Sequence, residues 1–205
     1  MIDSIFEDLS LLGLCSALLS IAAYLPYARD TLNSKTRPKR ASWLIWSVLS
    51  SIALLSQIAE GASSSLWFMA VQCFGTVMIF ILAVSRSDDA LFTTENKCIL
   101  SAAALGLVFW AVSESAVYAL AMTIIVSALG SVLTIFKAYR APETETISTW
   151  LLFFVSSGLA LAAIGTMDWI LLAYPLYLFC LYGLIVAAML MGRMQNSQET
   201  QPLVP

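Results

Sequence analysis

The chain contains no histidine, which removes the commonest metal ligand and the side chain that changes charge most easily near neutrality. Only 11% of its 205 residues are charged, against about 25% in an ordinary soluble domain. Its four cysteines, Cys15, Cys73, Cys98 and Cys180, stand singly in or at the edge of apolar segments with no CxxC spacing. That argues against a disulfide framework or a metal cluster, and the thiols read as small core residues. No Lys or Arg precedes the first apolar stretch, which instead follows Asp3, Glu7 and Asp8; a secretory signal begins basic, so the first helix is expected to be retained. No nucleophile and base pair, acidic cluster or metal spacing is apparent. The chain is therefore not expected to be an enzyme, and no cofactor or metal is expected.

What the sequence has in excess is apolar residues, at 60% against about 45 to 50% in soluble domains. A water-soluble core cannot hide that much apolar surface, so the relevant solvent is lipid. Crossing about 30 Å of hydrocarbon takes about 20 helical residues, because every backbone N–H and C=O must be satisfied within the segment. Seven apolar blocks come close, at 9–27, 41–59, 66–84, 98–112, 116–136, 149–165 and 169–191, with polar breaks between them.

Cytoplasmic connections keep positive charge, and the distribution is one-sided. Arg29, Lys35, Arg37, Lys39 and Arg40 lie between the first two blocks, Arg86 and Lys97 between the third and fourth. Lys137 and Arg140 lie between the fifth and sixth, and Arg193 follows the seventh; these are all ten basic residues of the chain. The expected fold is an all-α integral membrane protein of seven transmembrane helices, N-terminus out and C-terminus in. The other connections, at 60–65, 113–115 and 166–168, are too short to build an external domain.

An internal repeat shapes the expected architecture. Ser16-Ala17-Leu18-Leu19-Ser20 matches Ser127-Ala128-Leu129-Gly130-Ser131, and Arg29 then aligns with Arg140. After a loop four residues shorter, Ser42-Trp43-Leu44 matches Thr149-Trp150-Leu151, with six identities in the sixteen positions from Trp43 to Ile58. Both copies cross from outside to inside, so they are parallel repeats, and an inverting helix must separate them. The plan is 3+1+3: a first triple-helix bundle over 1–84, an inversion helix with its loops over 85–115, a second triple-helix bundle over 116–192, and a polar tail over 193–205 expected to be a disordered cytoplasmic segment.

Helix one ending in Tyr24-Leu25-Pro26-Tyr27, the polar and basic loop Asn33-Ser34-Lys35-Thr36, and a second helix opening with Ser42-Trp43 resemble the PQ-loop membrane proteins. That superfamily includes the SWEET sugar transporters, cystinosin-like exporters and related vitamin carriers, with seven helices in the same 3+1+3 plan. The Pro-Gln pair of the family reads Pro26-Tyr27 in the first copy and Phe136-Lys137 in the second. The resemblance implies transport, with the helix-one proline permitting a kink used in opening and closing. A proline removes one helical hydrogen bond and strains the preceding turn, so Pro26 reads either as the hinge of an inner gate beside Tyr27 or as the end of the helix. Pro175 reads as a tolerated first-turn residue or as a kink.

Polar side chains at bilayer depth are the default site candidates, because they are costly unless they face a cavity or a partner. Trp46, Ser50, Ala53 and Gln57 form one stripe on helix two, with Phe153, Ser157, Ala160 and Ile164 as the repeat counterpart. Helix three brings Phe68, Gln72, Gly75 and Thr76 to one face, and helix seven offers Tyr174 and Tyr177. Aromatics with a hydroxyl and an amide suit a neutral or cationic small solute. The plainer readings are close packing for Ser50, Ser157, Gly75 and Gly158, and interhelical glue for Gln57 and Gln72. Trp43, Trp67, Trp150 and Trp169, near helix ends, read as interface anchors.

The sugar-carrying relatives are expected to hold an asparagine near the midpoint of helices three and seven. Here helix three has Gln72 and helix seven has none, which argues against a sugar. Glu60, Glu114 and Asp168 fall at outer ends, leaving Asp30, near the inner gate, as the coupling candidate, or else as a surface partner of Arg29 or Lys35. The basic run from Lys35 to Arg40 reads as an orientation signal touching anionic lipid and not a nucleic-acid site. The expected function is alternating-access facilitation of a small polar or amphipathic metabolite; the alternative is a non-transporting membrane receptor or assembly subunit. Expected partners are a small-molecule solute and the lipid bilayer, with a homo-oligomer compatible with both functions. The lack of any Asn-x-Ser/Thr site fits a bacterial inner membrane.

Overall fold

A computed structural model describes residues 2–59, 66–86, 90, 91, 93–112, 116–164 and 169–199, with most of their side chains. Those residues form seven α-helices and no strand: α1 Ile2–Leu32, α2 Arg40–Ala59, α3 Leu66–Arg86, α4 Thr94–Val112, α5 Ala116–Arg140, α6 Ile147–Ala163 and α7 Trp169–Glu199. A single 3-10 turn, Pro142–Thr144, joins α5 to α6. Among the described residues, the segments Leu11–Leu32, Ala121–Arg140 and Leu172–Ser197 are long and apolar enough to cross a membrane, while Ala70–Arg86 and Ile147–Ala163 are shorter apolar segments.

Each apolar block of the sequence therefore marks one helix, and the differences are at the ends. Helix α1 does not stop at Tyr27 but runs on through Pro26 to Leu32, so Pro26 is not the helix terminator. Lacking an N–H, it leaves the Ala22 carbonyl without its usual partner. Pro175 is the seventh residue of α7, beyond the first turn where proline costs nothing. The polar residues Gln195, Asn196 and Ser197 continue α7 to Glu199, where a disordered segment from 193 was expected. The connections at 60–65, 113–115 and 166–168 lie outside the described residues.

Helix α3 packs between α1 and α2, and α7 packs between α5 and α6. Two seams, α1 against α6 and α2 against α5, join the two triplets into a closed ring of six helices, with α4 outside it against α5. The ring is inverted relative to a water-soluble bundle. On α1, Leu11, Leu14, Leu18, Ile21 and Leu25 face outward, with Leu25 64% exposed, while Ser16 and Ser20 are buried on the inner face. The same holds elsewhere: Phe74, Ile81, Val155 and Leu184 are exposed, and Ser50, Gln72, Thr76, Ser127, Ser131 and Ser156 are buried. Leucines outside and hydroxyls inside suit a hydrocarbon surround, where polar atoms must find partners within the protein.

Candidate functional site

The interior of the ring encloses a small cavity. Tyr24 of α1, Trp43, Trp46, Leu49 and Ser50 of α2, and Gln72 and Thr76 of α3 line one half. Ser127 of α5, Trp150 and Phe153 of α6, and Tyr174, Leu178, Leu181 and Tyr182 of α7 line the other. Its volume is about 30 Å³, room for one or two waters.

Aromatic rings fill most of the lining and pack on one another. The indoles of Trp43, Trp46 and Trp150 lie 5.1 to 6.4 Å apart, centroid to centroid. Tyr24 meets Phe153 edge-on at 4.8 Å, and Phe153 stacks on Tyr182 at 5.1 Å. Gln72 bridges the ring interior: Tyr24 Oη donates to Gln72 Oε1 at 2.7 Å, and Gln72 Nε2 donates to Tyr182 Oη at 3.4 Å. Tyr24 can lie on α3 only because residue 75 is glycine; a Cβ there would run into the tyrosine ring. Ser50 and Thr76 join α2 to α3 through their hydroxyls, 2.8 Å apart.

Of the residues expected to form a site, Trp46, Ser50, Gln72, Phe153 and Tyr174 come together around this cavity. Tyr177 does not line it; its hydroxyl lies 2.8 Å from that of Ser127 and 3.0 Å from that of Ser131. Ser157 is buried and donates to the carbonyl of Phe154 in its own helix. The side chains of Gln57, Phe68, Trp67 and Trp169 lie outside the described residues; Gln72 is engaged by two tyrosines. Trp43 and Trp150 are not interface anchors: at 2% and 1% exposure they are the floor of the cavity.

Below that floor, at the ends that carry the basic loops, a polar cluster joins the two triplets. Helix α1 ends in a turn that places Ser34 at φ 58° and sends the amides of Lys35 and Thr36 back to the Asp30 carbonyl, the geometry of a Schellman-type cap. The following loop reaches the α5–α6 connection. Arg37 N–H donates to the Thr144 carbonyl at 3.0 Å, the hydroxyls of Thr36 and Thr146 touch, and Thr146 donates to Asp30 Oδ2 at 3.0 Å. Asp30 thus meets the second triplet through Thr146.

Lys137 Nζ sits at the centre of this cluster. It donates to the Arg37 carbonyl, to the Thr144 carbonyl at 3.2 Å and to Glu145 Oε1 at 2.6 Å. The Glu145 side chain is fully buried and that of Lys137 is 12% exposed. The second carboxylate oxygen accepts from Trp150 Nε1 at 3.0 Å, and Tyr27, fully buried, accepts from Trp43 Nε1 at 3.3 Å. Glu145 and Lys137 were missed in the sequence because both fall among loop charges, where a solvated ion is the ordinary reading. The one available signal is an acid eight residues after a lysine with Pro142 between them, a turn that can fold one onto the other.

Among the described residues no group of three or more His, Cys, Asp or Glu could hold a metal ion. The arrangement offers π faces, an amide and hydroxyls above a buried ion pair. No protein-family model, curated protein or solved structure matches the chain.

Proposed function

We propose that this chain is a seven-span membrane facilitator, N-terminus out, that carries a small polar or amphipathic metabolite by alternating access between two parallel three-helix units of a PQ-loop-like protein. The observation that carries the reading is the position of the cavity. It lies between the two triplets, walled by both, and is closed on the basic side by bonds running from one triplet to the other. The packing pattern supports the repeat, because exchanging α1, α2 and α3 for α5, α6 and α7 turns each seam into the other and each triplet into its partner. A cavity of about 30 Å³ is smaller than any metabolite, so loading requires the triplets to part, which is what alternating access supplies.

The test is flux in proteoliposomes across a panel of labelled metabolites. Trp46→Ala and Gln72→Ala should each abolish uptake while leaving the folded yield unchanged. Parental flux in both variants refutes the site, and saturable binding without flux makes the protein a receptor. Tags at Arg86 and Arg140 that report opposite compartments refute the topology.

A further inference from the structure

Resting on that transport reading, we infer that the solute is a small organic cation, an ammonium or quaternary ammonium compound, held by the aromatic faces of the central cavity. The argument is an inventory of what the lining still has to offer. Among the described residues no ionised side chain lines the cavity. An anion would therefore have to leave water with no positive partner, at a cost that a few hydroxyls do not offset. The buried cation Lys137 is already bound to Glu145 and two carbonyls.

The donors of the lining are largely spent inside the protein. All three indole N–H groups point to other acceptors: Trp43 to Tyr27, Trp46 to the Ser127 carbonyl at 3.4 Å, and Trp150 to Glu145. The Tyr24 hydroxyl hydrogen goes to Gln72, and Thr76 donates to the Gln72 carbonyl at 2.8 Å. A polyol needs several donors as well as acceptors from its site; the lining keeps the hydroxyls of Tyr174, Tyr182 and Ser127, which accept as well as donate, and one Gln72 N–H. What dominates the lining is π faces, with hydroxyl oxygens between them, and both attract positive charge.

Trp150 sharpens the preference. Its N–H donates to a carboxylate, and a hydrogen bond to an ionised acceptor pushes electron density into the donor's ring, making the face more attractive to a cation. A cationic solute also removes the need for a coupling ion. An inside-negative potential of about 100 mV alone accumulates a monovalent cation about fiftyfold at equilibrium.

The experiment compares choline with 3,3-dimethylbutan-1-ol, which has the same shape with carbon in place of the charged nitrogen. Intrinsic tryptophan fluorescence of the purified full chain reads binding, since three of its six tryptophans line the cavity. Choline, or tetramethylammonium as a second cation, should bind saturably and about tenfold or more tighter than the neutral isostere. Trp46→Leu should erase that ratio and Trp46→Phe should keep part of it. In proteoliposomes, a potassium diffusion potential, inside negative, should accelerate choline entry. Equal affinity for choline and the isostere overturns the cation proposal and leaves transport standing. Cation preference without flux keeps the site and overturns transport. If neither choline nor tetramethylammonium binds, the proposal falls.

Discussion

The two seams that close the helix ring are built differently. Along α1 and α6, Ser16 Oγ donates to the Ser156 carbonyl and Ser156 Oγ to the Ser16 carbonyl, both at 2.8 Å. Ser20 Oγ lies 2.7 Å from Ser156 Oγ, and Thr149 donates to the Ala23 carbonyl at 2.9 Å. Along α2 and α5 the described residues give Ser42 to the Gly130 carbonyl at 2.6 Å and the long indole bond from Trp46 to Ser127. Beside this second seam lies a groove of about 150 Å³ lined by Leu44, Ile45, Val48, Leu49, Leu100, Ala104 and Val126. Where no water competes, interlocked hydroxyl-to-carbonyl bonds fix one helix against another. A seam with fewer bonds and empty volume beside it can shift at lower cost. The first seam is therefore expected to hold as the fixed edge of the ring and the second to give.

The largest effect that would disturb this contrast lies where the two triplets meet at their basic ends. Glu145→Ala leaves the Lys137 ammonium without its carboxylate and the Trp150 N–H without an acceptor, and removing one member of a buried pair costs about 3 to 5 kcal/mol. A matching fall in Tm is expected for the detergent-purified variant. Lys137→Met combined with Glu145→Leu should recover more than half of it, because the apolar pair leaves no charge stranded. An unchanged Tm for Glu145→Ala would show that the cluster holds nothing together.

The seven helices were legible because each apolar block is long enough to satisfy its backbone within one helix, the arrangement that hydrocarbon would require. Side-chain destinations near the helix ends were not legible. Trp43 and Trp150 have the depth of interface anchors along their helices, but they pack on each other and on Tyr27, Trp46, Phe153 and Tyr182, which buries both indoles. Tyr24 was read only as part of a motif; its role depends on the missing side chain at Gly75, on another helix, and no spacing along one chain displays that. Tyr177 fails for a simpler reason. Three residues from Tyr174, it shares roughly that helix face, but its hydroxyl is captured by Ser127 and Ser131 before it reaches the cavity.

A pair of single substitutions gives the next effect. Ser156→Ala removes the hydroxyl that bonds the Ser16 carbonyl and lies within reach of both the Ser16 and Ser20 hydroxyls, and should cost about 1 to 2 kcal/mol. Ser42→Ala removes one bond from the other seam and should cost about 0.6 kcal/mol. Thermal unfolding of the two variants side by side reads the difference. Equal losses would mean that the seams are equally fixed, whatever their bond patterns.

The smallest effect on stability comes from filling the groove, and it tests which seam moves. Ala104 of α4 lines the groove and is exposed on the outer side, so in a bilayer acyl chains already contact it. Lipid tails are as apolar as leucine, and Ala104→Leu exchanges one hydrocarbon contact for another. The expected change in stability is about 0.5 kcal/mol or less. Flux is a different matter, because the added side chain occupies the volume into which Ile45 and Leu49 of α2 would move as the seam shifts. A severalfold slower exchange in proteoliposomes at unchanged Tm is the expected result. Parental exchange with the groove filled would place the motion at α1 and α6, and the serine interlock there would then have to break in every cycle.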